Sequence, residues 1–570
     1  MPAGPETRPG VYDMLGTREE RMAAVEAIHA PWQKKTIWER LLDCAESHPD
    51  REFMVFSTGE RYTYAETIAE SEKIAAGLLT AGVMPGDHVG VKAFSGPQSA
   101  LLIFALARLE AVKVAINTGV GSYELRYILD KADCSCLITD NAVPLEDIAE
   151  LVKMRAVVGI GDCLSDAPQN LRHLTVGWQD MIEAGNVANL KPYQGSADDF
   201  VDIMFTSGST GNPKGVPLTH DKLFRSAYAN TLNRGFEDGR RIFTALPLYH
   251  CFAYVEGILA ALFVAGTMLI YCGRFDAADC LAFLHREKAN DILNVPYMAM
   301  RFIEVLRENP MEFEGLHAMY CAGEPCPDWV WTGIREQLGI HDVVNGFGMT
   351  EICGAAMQTR PSDPDSVRGN RVGRIMPAGA AGSPEYGGHV MEYKAVDVDT
   401  REDLPAGQTG ELLCRGLSLM EGYYRDIDAT YDAFTADGWL KTGDLGRFDE
   451  DGYLELIGRI KDTYRINGEN VSPHFLEQII ERCPVVQKAV VVGVPNERLG
   501  AVGALFAQLA EDTEENRAEL ERFCKASLAA FQVPRYYFFM DEDAWPRTSS
   551  GKIQTFKLRE IAAERAAEGA

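Results

Sequence analysis

Short apolar runs rich in β-branched residues alternate along the chain with longer stretches in which apolar side chains recur at helical spacing. Glu66 to Ala81 predicts a helix, HVGVKAF from His88 a strand, and Ser99 to Leu109 a second helix. The rhythm returns in DDFVDIMF from Asp198 (strand), DKLFRSAYAN from Asp221 (helix) and RIFTAL from Arg241 (strand). Such alternation, after a polar arm reaching to about Lys35, is the pattern of parallel sheets covered by helices. From about Met376 it changes to short strands with Gly-rich turns, as in AGQTGELLCRG and FDEDGYLELIG, where DEDG predicts a hairpin turn. Beyond Gly458 come a strand, a helix from Pro473, strands KAVVVGV and GALFAQL, a helix from Glu514 to Ala530 and strand YYFFM. The expected fold is therefore α/β. A large N-terminal domain, residues 1–459, holds two helix-covered sheets and a β-rich subdomain from about residue 376, and residues 460–570 form a small α+β domain.

The longest apolar run, Gly257 to Tyr271, holds fifteen residues and is broken by Gly266. It is too short for a membrane span and reads as a buried helix passing into a strand. The 83 acidic side chains outnumber the 55 basic ones, for a formal charge of -28, which excludes nucleic-acid binding through a broad basic surface. Anionic ligands then need a few placed cations and backbone N–H groups. Thirteen scattered cysteines, with Cys134 and Cys136 the closest pair, show no zinc spacing. The sequence MPAGPETRPG lacks the order of a signal peptide. Together these features predict free thiols in a cytoplasmic enzyme.

The strongest chemical signal is Thr206-Ser-Gly-Ser-Thr-Gly-Asn-Pro-Lys-Gly-Val216, directly after the apolar strand VDIMF. Gly208 and Gly211 let backbone N–H groups turn inward as an anion nest, Ser207, Ser209 and Thr210 add hydroxyls, and Lys214 adds a cation. Lys214 stands between Pro213 and Gly215, so this phosphate loop is not a Walker A motif.

This loop closely resembles that of the adenylate-forming superfamily of acyl-CoA synthetases, adenylation domains and luciferases. Seven more motifs match in order: LPLYH at Leu246, AGEP at Ala322, NGFGMTE at Asn345, TGD at Thr442, GRIKD at Gly458, NGENVSP at Asn467 and SSGKIQ at Ser549. The resemblance implies ATP, Mg²⁺ and coenzyme A as cofactors and a carboxylic acid as partner substrate. It makes Lys552, Thr206, Glu351 and His250 catalytic candidates, with Glu351 on Mg²⁺ and Lys552 bridging the acid carboxylate and the α-phosphate. Thr350 would contact phosphate. Phe347, where the family usually carries Tyr, would stack on adenine between Asn345 and Gly346 on one side and Gly323, Glu324 and Pro325 on the other. Asp444 and Arg459 fall on ribose-binding positions. Lys461 falls on the hinge about which a mobile C-terminal domain rotates, and Gly468 on the pantetheine tunnel. Phe475 stands where the family usually has Glu, a change confined to one helix contact.

By the same resemblance His250 guards the carboxylate entrance, and Phe252, Ala253, Glu256 and Gly348 face the acyl pocket. The segment from His250 reads as a helix on which His250 and Tyr254 share a side. Two readings of Glu256 stand. With Phe252 and Tyr254 it would receive the cationic group of a carnitine- or betaine-type acid; alternatively it turns aside to a structural partner. The C-terminal stretches RINGENVSP and FCKASLAAFQVPRYYFF resemble both carnitine-type and medium-chain acid:CoA ligases. A stand-alone adenylation enzyme that loads a carrier protein would share the ATP motifs, as would a non-catalytic nucleotide-binding sensor. The absence of an appended carrier domain favours the CoA ligase.

Overall fold

The computed structural model describes residues 16–206, 212–323, 326–369, 371–466, 469–496, 499–547 and 553–567. Strands such as Val112–Ala115 and Cys134–Thr139 are buried at every position, as parallel strands covered on both faces must be. They belong to a seven-stranded sheet ordered Thr175–Gly177, Ala156–Gly159, Cys134–Thr139, His88–Lys92, Val112–Ala115, Phe200–Thr206 and Lys214–Thr219. Every neighbour is parallel except the last pair, an antiparallel hairpin that sets Thr206 opposite Lys214. The two described ends of the phosphate loop are thus held side by side.

A second sheet repeats the plan. Its order is Asp342–Val344, Ala318–Cys321, Asp291–Asn294, Arg241–Thr244, Thr267–Ile270, Glu52–Phe56 and Arg61–Thr63, again parallel but for the terminal pair. Helix starts follow local chemistry. At Tyr64–Thr80, the Thr63 hydroxyl accepts from Glu66 N at 3.1 Å, and the Glu66 carboxylate accepts from Thr63 N at 2.8 Å, a reciprocal cap. Between the sheets lies a core in which Phe53 stacks on Tyr64 at 4.5 Å and meets Phe104 edge-on at 5.5 Å.

The β-rich subdomain is an antiparallel sheet of Met391–Val396, Gly410–Gly416, Leu440–Phe448 and Leu454–Arg459, with the expected DEDG turn between the last two. Gly452 closes that turn at φ +79°, a conformation glycine adopts without steric cost. A three-stranded sheet, Gly346–Met349, Gly354–Gln358 and Arg374–Ile375, carries the NGFGMTE segment.

In the C-terminal module, strands Val486–Asn496 and Gly500–Leu509 pair along their length. Val491 and Leu505 bury one face against Leu520, whereas Val490, Val492 and Phe506 bury the other against Leu558 and Ala562. Those last two residues lie on a helix, Thr555–Ala567, that the sequence pattern does not predict, because among its described residues only Leu558 and Ala562 are buried.

One expected element differs in kind. Cys251–Ala253 makes a single α-turn, and Tyr254–Leu259 continues as a π-helix. The α-type bond from Tyr254 N to the His250 carbonyl at 3.2 Å keeps the expected spacing of that pair, and the wider turn begins only after it. Among the described residues no helix is long and apolar enough to cross a membrane.

Candidate active site

The strands' carboxyl ends and the β-rich subdomain face the C-terminal module across a cavity of about 680 Å³. Gly323, Asn345, Gly346, Phe347 and Gly348 line one side, Asp444 and Arg459 another, and His474, Glu477 and Arg559 the module's side. Close packing makes glycine necessary at two of these positions. A Cβ on Gly346 would meet the Tyr320 hydroxyl oxygen at 2.5 Å, and one on Gly348 would meet the Gly354 carbonyl oxygen at 2.0 Å. Gly348 therefore spaces two backbone strands while lining this cavity.

Phe347 packs with Met357, Leu412 and Leu454 and meets Tyr393 edge-on at 6.3 Å. Beside it, Asn345 donates Nδ2 to the Arg368 and Arg371 carbonyls, both at 3.0 Å. Its Oδ1 is buried and has no hydrogen-bond partner among the described residues. An acceptor left open next to an aromatic ring fits the exocyclic amine of adenine.

Asp444 and Arg459 sit opposite each other on neighbouring strands and form an ion pair at 3.0 Å. Burial pushes the Asp444 carboxyl up, and the Arg459 and Lys461 charges pull it down. Burial likewise lowers Lys461, with the nearby Arg459 charge acting in the same direction and Lys214 adding to it. Lys461 thus lies within electrostatic reach of both the ribose-type pair and the phosphate-loop lysine.

Glu351 is buried on the short 3₁₀ turn Thr350–Ile352. Its Oε1 accepts a 2.9 Å hydrogen bond from the Tyr423 hydroxyl, and its carbonyl accepts from Met420 N at 2.8 Å. The ring of Tyr423 in turn lies 4.8 Å from Lys214 Nζ. Tyr423 was not predicted from sequence. The tetrapeptide GYYR carries no chemical signature, and only the fold brings it between the two charged candidates. The half-buried Thr206 completes this corner, its hydroxyl 3.4 Å from the Lys214 carbonyl.

Among the described residues no group of three or more His, Cys, Asp or Glu could hold a metal ion. One carboxylate beside a phosphate loop instead suits Mg²⁺, which binds through one or two carboxylates plus substrate phosphates. Glu351 would hold the ion, whose charge would offset that of the triphosphate. Lys552, Ser207, Gly208, Ser209, Thr210, Gly211, Glu324, Pro325 and Gly468 lie outside the described residues.

On the acid side, His250 caps its helix, Nδ1 accepting from Phe252 N at 3.2 Å. The Phe252 ring meets Tyr320 edge-on at 4.9 Å, and Ala253 is buried. Of the two readings of this segment, the structure agrees with the structural one. Tyr254 follows His250 at helical spacing, but it does not join a ligand-binding set with Phe252 and Glu256; it is fully buried and its hydroxyl donates to Asp202 at 2.8 Å. Glu256 is not presented for a cationic ligand. It has no exposed surface, and Oε1 accepts from Ala355 N at 2.8 Å. Burial raises its carboxyl to about 8, so the neutral acid predominates near pH 7.

Residues 41–424 match the family model described as AMP-binding enzyme, and residues 476–552 match the AMP-binding enzyme C-terminal domain. The "Putative acyl-CoA synthetase YngI" of Bacillus subtilis is 33% identical over 94% of this chain and 97% of its own. The mitochondrial medium-chain acyl-CoA ligase ACSF2 of Danio rerio is 32% identical over 93% and 89%. ATP-bound MatB from Rhodopseudomonas palustris superposes with TM-score 0.79 at 25% identity, covering 92% of this chain and 99% of that one. The same architecture recurs in the anthranilate CoA ligase AuaEII, with TM-score 0.81 over 94% and 98% of the two chains at 24% identity. With these likenesses spanning both the phosphate hairpin and the C-terminal module, the chain belongs to the AMP-binding enzyme family and is an ATP-dependent, AMP-forming acyl-CoA synthetase that uses Mg²⁺ and coenzyme A.

Proposed function

We propose that the substrate is an uncharged medium-chain aliphatic acid. The carrying observation is Glu256: the one carboxyl expected on the acid side is buried, neutral near pH 7 and engaged by backbone, so no anion is presented to a cationic acid. Half-buried Phe252, packed edge-on against the buried Tyr320, stands there as an apolar group instead, which suits an alkyl chain. The name of the Danio rerio relative supports the same chain length.

In this reading the carboxylate enters past His250 and attacks the α-phosphorus of ATP, and pyrophosphate leaves. The CoA thiol then attacks the acyl carbonyl, and AMP leaves. Residues 1–459 form the nucleotide-binding body and residues 460–570 the moving domain, with the hinge at Lys461. Lys552 neutralises charge that develops as the carboxylate reaches phosphorus, an interaction that accelerates because it is strongest in the transition state. Phe347 and Asn345 hold adenine, Asp444 and Arg459 the ribose, and Thr206, Lys214 and Thr350 the phosphates. None of the thirteen cysteines forms a disulfide, in keeping with a reducing, cytoplasmic setting.

The test is pyrophosphate release from Mg·ATP over short, medium, aromatic and betaine-type acids, each with and without CoA. The expected result is turnover that peaks with medium-chain acids and is stimulated by CoA. A peak with the betaine-type acids would overturn the assignment.

A further inference from the structure

We propose that the π-turn Tyr254–Leu259 is the joint through which acid binding and ATP binding reinforce each other, with Tyr254 and Glu256 as its positioning residues. The inference rests on the reading above, in which the acid passes His250 and Phe252 and the triphosphate lies beyond Thr206. Single π-turns cost hydrogen-bond geometry and cluster at functional sites. This one directly follows the His250–Phe252 segment and sends two buried polar tethers in different directions.

The first tether runs to the phosphate hairpin. The Tyr254 hydroxyl donates to Asp202 Oδ2 at 2.8 Å. Lys113 Nζ pairs with Asp202 Oδ1 at 3.1 Å and lies 3.8 Å from the Tyr254 ring centre. All three side chains are buried, and Asp202 is on the strand that ends at Thr206. Taking two opposite charges and a phenol out of water is a poor route to stability, since apolar side chains of similar volume do as well or better. What such a group does supply is one defined register between the elements it joins, here the acid-side turn and the strand that delivers the phosphate loop.

The second tether runs to the adenine and Glu351 segments. Glu256 Oε1 accepts from Ala355 N, on the strand Gly354–Gln358 that follows the Glu351 turn. The Glu256 carbonyl accepts from Asn230 Nδ2 at 3.2 Å, and Asn230 Oδ1 accepts from Gln358 Nε2 at 2.8 Å. Gln358 Oε1 accepts from Asn233 Nδ2, which also donates to the Thr359 carbonyl, while Asn345 N donates to the Thr359 hydroxyl. A continuous buried network thus joins the turn to Asn345, which lines the cavity on the proposed adenine side. An acid that wedges between Phe252 and Tyr320 shifts the turn, and both nucleotide-binding segments move with it. Linkage makes the effect reciprocal: ATP must tighten acid binding by the same factor.

The experiment uses the full-length protein, an acid that turns over in the release assay, and α,β-methylene ATP, which cannot form the adenylate. Calorimetry measures the Kd of each ligand alone and in the presence of the other. The wild type is expected to show mutual tightening of about fivefold or more. Tyr254→Phe should bring that factor close to one while each Kd measured alone changes by less than about twofold, the level of a surface change. Glu256→Gln keeps the acceptor oxygen for Ala355 N and should retain coupling; Glu256→Ala should lose it. Wild-type additivity with a turning-over acid overturns the inference and leaves the substrate reading intact, as does a Tyr254→Phe protein that couples normally. If no acid turns over while the nucleotide still binds, the substrate reading fails and takes the inference with it. Should Tyr254→Phe melt early, the Glu256 pair decides: equal loss in Gln and Ala counts against positioning through that oxygen.

Discussion

In the nucleotide half of the cleft, polar side chains line the cavity; in the acid half they are sealed in the core against other protein groups. Asn345 lines the cavity, spends its amide nitrogen on two carbonyls and has no partner for Oδ1 among the described residues, and Asp444 is paired with an Arg459 whose side chain is 52% exposed. Tyr254, Asp202, Lys113 and Glu256, by contrast, are buried and engaged with protein groups, with little surface for a ligand to reach. The difference separates two roles that composition alone confuses. A group that binds a ligand lies where the cavity reaches it, whereas one that sets the shape of the site is sealed away from it, as Glu256 is even with Oε2 left without a partner among the described residues.

The comparison is broken most severely by removing charge from the open half. Glu351→Gln keeps an acceptor for the Tyr423 hydroxyl but removes the negative charge proposed to hold Mg²⁺. Pyrophosphate release at saturating ATP should fall by about 10²–10³-fold, the scale for losing one electrostatic stabiliser of a transition state. The melting temperature should stay near that of the wild type. Activity within threefold of the wild type would show that Glu351 is a structural carboxylate like Glu256. Tyr423→Phe should act more gently. It removes one hydrogen bond to a charged group, so the Mg²⁺ concentration for half-maximal release should rise by about tenfold, with the KM for the acid unmoved. A rise in the acid KM instead would assign Tyr423 to the other half.

This contrast also explains what could be read from sequence. Thr206, Lys214, Glu351, Asp444 and Arg459 stand in short motifs whose chemistry is local, and the strand–helix rhythm of residues 66–109 predicts the elements found there. The acid half is built from pairs distant in sequence, such as Tyr254 with Asp202 and Glu256 with Ala355, so no spacing reveals them. For Glu256 the resemblance left two readings, a ligand group or a structural one, and its bond to Ala355 N in the core, a partner 99 residues away, agrees with the second. The helix Thr555–Ala567 escaped for a related reason: too few of its positions are buried to set up an apolar period.

A finer test of the open half is Asp444→Asn. Asparagine preserves size and one acceptor but weakens the ion pair with Arg459 and the hold on two vicinal hydroxyls. The KM for ATP should rise by about fivefold, and the KM for 2′,3′-dideoxy-ATP should be nearly the same in variant and wild type. Equal effects on both nucleotides would mean that Asp444 only positions Arg459.

The smallest effect on turnover, and the sharpest test of closure, comes from Glu256→Gln. At pH 7 the wild-type side chain is mostly the neutral acid, so the amide should change release by less than about twofold, within the range of well-tolerated substitutions. Stability should nevertheless separate the two proteins as pH rises. The Glu256 carboxyl has an ordinary value of 4.5 and is held at about 8 in the fold, so between those values the native state binds a proton that the unfolded chain has released. That preference is fully present below pH 4.5, shrinks across the interval and is gone once pH has risen through 8. Wild-type melting temperature should therefore fall between pH 5 and 9 by more than that of Glu256→Gln, in which no proton is exchanged at this position. Parallel curves would mean that Glu256 already ionises in the fold, and a buried anion on the acid side would return the cationic acid to contention.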